Sequence, residues 1–134
     1  MQELLIVRGL PGAGKSTFAE SLVGYKHFES DMWREISGTR VYSGEFNEIA
    51  HAWCLGMTAD ALARGCQKVV VSNVFHTLDR IKPYAVLRDN LCKMGHEVRM
   101  TVIHVQGPIG RSVYTGVSYD YYLKDWEEYK GEFD

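Results

Sequence analysis

One stretch near the N-terminus has the residue types and spacing to hold a polyphosphate. In Gly9-Leu10-Pro11-Gly12-Ala13-Gly14-Lys15-Ser16-Thr17, the pattern G-x-x-x-x-G-K-[ST] is met by Gly9, Gly14, Lys15 and Ser16. Glycine lets the backbone turn with positive φ and leaves no Cβ between an amide and a phosphate oxygen. The N–H groups of Gly12, Ala13, Gly14, Lys15, Ser16 and Thr17 then line an anion nest where a helix begins. Lys15 brings a full charge to the β- and γ-phosphates, the Ser16 hydroxyl is a hard oxygen ligand suited to Mg²⁺, and Pro11 stiffens the loop. An apolar run, Leu4 to Val7, precedes the loop and an amphipathic one, Thr17 to Val23, follows it. That strand–loop–helix context is what the motif requires, so the chain is expected to bind ATP with Mg²⁺.

Other residues address what happens to the γ-phosphate. Asp31 follows a short second strand, Lys26-His27-Phe28-Glu29, at its carboxyl end, where open parallel sheets place their chemistry. A carboxylate there can accept the proton of an attacking hydroxyl, although phosphoryl transfer depends more on positioning and charge neutralisation. Arg34, three residues on, shares its helix face, and its guanidinium fork suits a phosphate on an acceptor. Arg111 stands in a Gly/Pro-broken segment, where a cation on a lid can close over the transferring group. Asn73 ends the third strand, where many nucleotide-binding loops are accompanied by an acid. An amide can orient a hydroxyl or a metal-bound water but cannot act as a base. His76 and Arg80 have weaker claims. His51 and Trp53 read as ordinary helix residues, Trp53 as core.

The elements that must position these groups alternate between strand and helix. Strands are expected at 3–8, 26–29, 67–72 and 96–105. Helices are expected at 15–24 (ended by Gly24), at 31–36 (capped by Ser30, closed by Gly38), at 47–64 (capped by Asn47) and at 79–94, with Pro83 in the first turn or at a kink. Ile49, Ala52, Trp53, Gly56, Ala59 and Ala63 read as the inner face of the third helix. Residues 39–46 read as irregular, and 106–117 as a lid of loop or helical fragment. A final helix is capped by Ser118 and carries Tyr121, Tyr122, Leu123, Trp126 and Tyr129. Short links between alternating elements imply a single α/β domain over 1–134, with a small parallel sheet of four to five strands covered by helices on both faces.

Composition narrows the classes. Of the 134 residues 46% are hydrophobic and 24% charged, ordinary for a globular domain. The net charge of −2 hides an acidic segment at 118–134, so no broad basic face is advertised. Three scattered cysteines and no basic-then-apolar leader fit a reduced, cytoplasmic protein without a membrane span. No Cys/His cluster points to a structural zinc.

Taken together, the motifs resemble the kinase domain of the phage-type polynucleotide 5′-kinases and their P-loop relatives, over nearly the whole chain. Gly9 to Thr17 resembles the opening loop of that family. Ser30-Asp31-Met32-Trp33-Arg34 resembles its S/R-D-D-Y-R segment, in which the aspartate is the general base and the arginine grips the acceptor strand. His51-Ala52-Trp53 resembles the H-x-W of some relatives, and Lys82-Pro83-Tyr84 a K-P-Y after strand three. Arg111 to Val117 resembles the R-N-x-x-x-G-V lid, whose arginine contacts ATP phosphates. Where the family reads D-T-N, this chain has Asn73-Val74-Phe75, and the link at 107–110 is short and poor in basic residues. The resemblance implies a P-loop NTPase/kinase fold and transfer of the ATP γ-phosphate to a polynucleotide 5′-OH. A small-molecule or nucleotide kinase and a non-catalytic ATP-binding switch remain open alternatives.

Overall fold

The computed structural model describes residues 1–39, 43–106 and 113–124. Its elements are β1 (Gln2–Arg8), α1 (Lys15–Ser21), β2 (Lys26–Phe28), α2 (Asp31–Ser37), α3 (Gly44–Ala63), β3 (Lys68–Asn73), α4 (Leu78–Lys93), β4 (Val98–Gln106), β5 (Val113–Ser118) and α5 (Tyr119–Lys124). They build one five-stranded sheet in the order β2-β3-β1-β4-β5. The first four strands are parallel, and β5 runs antiparallel along β4, from Thr101↔Ser118 to Gln106↔Val113. The stretch 113–117, expected to belong to a lid, is therefore an edge strand. Its pairing partner lies across the Gly/Pro-rich break, which local periodicity does not reveal.

Side chains alternate across the strands and divide the core in two. Leu4, Ile6, Val69, Val71, Met100 and Val102 face the larger cluster, with Leu62, Ile81, Tyr84 and Tyr122 from the covering helices. Val7, Val70 and Val105 face a smaller cluster closed by Ala13 and Ala19 at the start of α1. Helix α1 is shorter than expected. The chain leaves it at Leu22, whose ψ of 102° is extended, and Leu22 packs against the smaller cluster.

Two helix starts differ from expectation for related reasons. Helix α3 begins at Gly44, and Ser43, not Asn47, caps it by accepting from the Phe46 N–H at 3.3 Å. Both residue types are good caps. Starting the helix earlier leaves the Asn47 side chain available to accept from the Arg34 guanidinium, and Phe46 stacks on Trp33 at 6.2 Å. The buried row of α3 is Ala50, Cys54, Thr58 and Leu62, while Ile49 is 41% exposed. The first three of this row are small and let that part of the helix lie close to the sheet, while Trp53 packs half-buried against the same core. Ser30 precedes α2 but makes no side-chain cap there; its hydroxyl turns to Asn73. Pro83 lies in the second turn of α4. Ser118 does cap α5, accepting from the Tyr121 N–H at 3.3 Å. Trp126 and Tyr129 lie outside the described residues.

Beneath the loop, a fully buried arginine ties the layers together. Arg8 Nε donates to the Phe75 carbonyl at 3.0 Å, Nη1 meets His104 Nδ1 at 3.2 Å, and Nη1 also donates to the Tyr122 hydroxyl. A guanidinium only donates, so His104 Nδ1 must be the unprotonated acceptor. The Phe75 backbone this bond secures has φ of 49°, a left-handed conformation rare for a bulky residue.

The glycines of the loop divide their work. Gly12 and Gly14 have φ of 83° and 95°. Gly9 is needed for space: a Cβ there would lie 2.9 Å from the Val105 carbonyl oxygen of β4. Because that neighbour is backbone, Gly9→Ala should cost about 1–3 kcal/mol of stability through overpacking. Urea unfolding monitored by circular dichroism checks this. An unchanged midpoint would show that the loop exit from β1 is not constrained by β4.

Candidate active site

The loop after β1 turns on itself, with the Ala13 N–H donating to the Leu10 carbonyl at 3.0 Å. It delivers Lys15 and Ser16 to the rim of a cavity of about 330 Å³, which Pro11 also lines. Gly12, Ala13 and Gly14 shape the loop behind these side chains. Thr17 is exposed on the first turn of α1 and does not line the cavity. Gly14 begins α1 and has no side chain to cap it, so no oxygen of an N-cap side chain covers the first-turn amides. Lys15 is held below the usual lysine range by burial, while Glu29 and Asp31 pull its pKa back up.

The parallel register of β2, β3 and β1 assembles the rest. Phe28 pairs with Val71, and Arg8 with Asn73. The residues leaving these strands therefore meet at one edge, as expected where strands end in an open sheet. Glu29, next after β2, accepts from Ser16 Oγ at 2.9 Å and from Ser72 Oγ at 3.0 Å. His27 Nε2 lies 2.6 Å from Ser72 Oγ. Since Ser72 gives its proton to Glu29, His27 must be the donor in that pair. Sequence reasoning passed over Glu29 as the last residue of a strand. The Glu-x-Asp spacing of Glu29 and Asp31 at a strand's carboxyl end was the available signal.

Asp31 and Arg34 both line the cavity. The Asp31 carboxylate is 77% exposed and its Oδ1 is 3.5 Å from Arg34 Nε; the Arg34 side chain is 8% exposed. Asn73 lines the same space with its amide engaged. Its Oδ1 accepts from the Ser30 N–H at 2.9 Å and from the Ser30 hydroxyl, and its Nδ2 reaches Cys54 Sγ at 3.8 Å. Asn73 thus fixes the turn that carries Asp31. Beyond Arg34 the wall is His51, His76 and Arg80. Burial, then the Arg80 charge, depresses the His51 pKa, and Arg80 pairs with Glu48. The His51 and Arg80 side chains also border a smaller cavity of about 180 Å³ between α3 and α4, floored by Leu55, Pro83 and Tyr84. Arg111 lies outside the described residues.

One carboxylate at the loop, a hydroxyl beside it and a second carboxylate nearby are hard oxygen donors, which suit Mg²⁺ shared with phosphates and water. Among the described residues no group of three or more His, Cys, Asp or Glu side chains could hold a metal unaided. No helix among the described residues is long and apolar enough to cross a membrane.

Comparison with known proteins agrees with this geometry. The structure is similar to a chain of the Pnkp1/Rnl/Hen1 RNA repair complex, with a TM-score of 0.57 and 19% identity, over 81% of this chain and 34% of that one. A second structure of a Pnkp1/Rnl/Hen1 complex gives a TM-score of 0.62 and 20% identity, over 88% of this chain and 41% of that one. A protein of Chloroflexus aurantiacus j-10-fl, proposed to be a kinase, gives a TM-score of 0.57 and 21% identity, over 66% and 53%. At these identities the likeness is one of fold, that of a P-loop kinase, and this chain spans less than half the length of the two matched repair-complex chains. The family model described as AAA_33, an AAA domain, matches residues 4–106. That match takes in the phosphate loop and every element from β1 to β4, and so the chain belongs to the AAA_33 family of AAA domains.

Proposed function

We propose that this chain is an ATP- and Mg²⁺-dependent kinase that transfers the γ-phosphoryl group to a hydroxyl, with the 5′-OH of a polynucleotide as acceptor. One observation carries this reading: Lys15 and Asp31, a phosphate-binding cation and a solvent-accessible carboxylate, open onto the same cavity. The loop from Gly12 to Thr17 holds the triphosphate, and Ser16 ligates Mg²⁺. When bound, the metal neutralises charge on the β- and γ-phosphates.

The acceptor hydroxyl gives its proton to the Asp31 carboxylate as its oxygen bonds to the γ-phosphorus. The bond from that phosphorus to the β–γ bridging oxygen breaks, and ADP leaves. Lys15 and Arg111 stabilise the charge spread over the transferring group. Arg34 holds a phosphate of the acceptor, and Asn73 keeps the Asp31 turn in place. The repair-complex neighbours point the same way for a nucleic-acid acceptor. A nucleotide or other small phosphorylated acceptor is the second reading. A cavity of about 330 Å³ supports it, being of the size that holds one small ligand.

Asp31→Asn should lower the rate of transfer from labelled ATP to a 5′-hydroxyl oligonucleotide by roughly 10²-fold or more, with ATP affinity within about twofold of the parent. Unchanged transfer would remove Asp31 from the base role. Arg34→Lys keeps the charge and loses the fork. It should raise the acceptor KM roughly tenfold, as loss of a charge-assisted hydrogen bond implies, with a smaller change in kcat. For a strand acceptor, that KM should also rise steeply with salt. A salt-insensitive KM would instead favour the small acceptor.

A further inference from the structure

Many nucleotide-binding loops are accompanied by an acid at the end of the third strand, and here β3 ends on an amide, Asn73. Asn73 is occupied on both sides, its oxygen by Ser30 and its nitrogen by Cys54. Glu29 stands instead against the loop's own hydroxyl. We infer that Glu29 is the positioning acid of the Mg²⁺ site: it accepts the Ser16 hydroxyl hydrogen bond so that the oxygen lone pairs are left for the metal, and its second oxygen would be available to a water on that metal.

The hydrogen-bond pattern supports each half of that role. A serine hydroxyl has one proton and two lone pairs. With the proton directed to Glu29 Oε2 at 2.9 Å, both lone pairs of Ser16 are left for a cation. The same Oε2 also accepts from Ser72 Oγ and lies 4.0 Å from His27 Nε2. Both hydroxyl donors are on one oxygen, so Oε1 carries no hydrogen bond among the described residues while Glu29 lines the cavity. The two hydroxyl donors fix the carboxylate's orientation, and His27 in turn holds Ser72, as outer partners of metal ligands commonly do. Glu29 also precedes Asp31 among the charges acting on Lys15, which places its charge where phosphates and metal would meet. Helix α2 separates the tasks of the two acids. Glu29 faces the loop, and Asp31, two residues on, stands exposed beside Arg34.

Glu29 in this role presumes the metal nucleotide of the reading above but no acceptor, so it is tested by binding alone. A fluorescent N-methylanthraniloyl-ADP is titrated into wild type, Glu29→Gln, Glu29→Asp and Ser72→Ala, in EDTA and across a Mg²⁺ series, with thermal melts of each protein as the fold control. Glu29→Gln should raise the Mg²⁺ midpoint for nucleotide binding by about 10–100-fold, the range for loss of such a partner. Affinity in EDTA should hold or tighten, because a negative charge beside the phosphates is gone. Glu29→Asp, which keeps the charge and shortens the reach, should fall between, and Ser72→Ala should shift the midpoint less. If Glu29→Gln does not fold, the Glu29→Asp and Ser72→Ala midpoints decide. An unchanged Mg²⁺ midpoint, or an equal change in EDTA and in Mg²⁺, would reduce Glu29 to a counter-charge for Lys15. Intact Mg²⁺ behaviour of the wild type without any phosphorylated acceptor would overturn the kinase reading and leave the metal role standing.

Discussion

The site depends on the parallel register of three short strands. With Arg8 opposite Asn73 and Phe28 opposite Val71, β1, β3 and β2 end at nearly one level, and the chain leaving each must cross the same edge. The phosphate loop, the Asn73–Phe75 turn and the Glu29–Asp31 turn are thereby forced together. A slip of one residue would turn every side chain of a strand to the other face. The alternating core makes that costly: Leu4 and Ile6 would exchange places with Leu5 and Val7 between two clusters of different size.

Arg8 is the counterpart of this register in the interior. Its guanidinium is wholly buried and joins the end of β1 to the Phe75 carbonyl, to His104 on β4 and to Tyr122 on α5. A buried cation costs desolvation energy unless hydrogen-bonded, and here those bonds join the end of β1 to the Phe75 backbone and to side chains of β4 and α5. The left-handed Phe75 is part of the same arrangement. Its ring packs edge-on to Tyr84 at 5.7 Å while its carbonyl serves Arg8. Rigid surroundings of this kind suit a site whose chemistry relies on fixed charges more than on proton transfer.

Much of this was legible in the sequence because the signals were local. The phosphate loop carries its own context, the apolar runs of β1 and β3 bear the mark of strands covered on both faces, and Gly38, Gly65 and Gly95 do close their helices with positive φ. The failures came where distant pairing decided. Ser43 and Asn47 are equally good caps, and it is the reach of Arg34 from α2 that claims Asn47. Residues 113–117 become a strand only because β4 offers an open edge. Glu29 has no local signature beyond its spacing from Asp31. Its meaning comes from Ser72, which the fold brings beside it across 43 positions of chain. The wall of His51, His76 and Arg80 likewise draws on α3, α4 and the turn before α4, which periodicity treats separately.

One cradle for a triphosphate and one carboxylate for an alcohol, on the same sheet edge, is the central claim. It is met most directly by supplying γ-labelled ATP, Mg²⁺ and either a 5′-hydroxyl oligonucleotide or the same strand already 5′-phosphorylated. Label should move to the first strand, at its 5′ end, and not to the second. Label released as inorganic phosphate at equal rates with either strand, or retained on ATP throughout, would contradict the account.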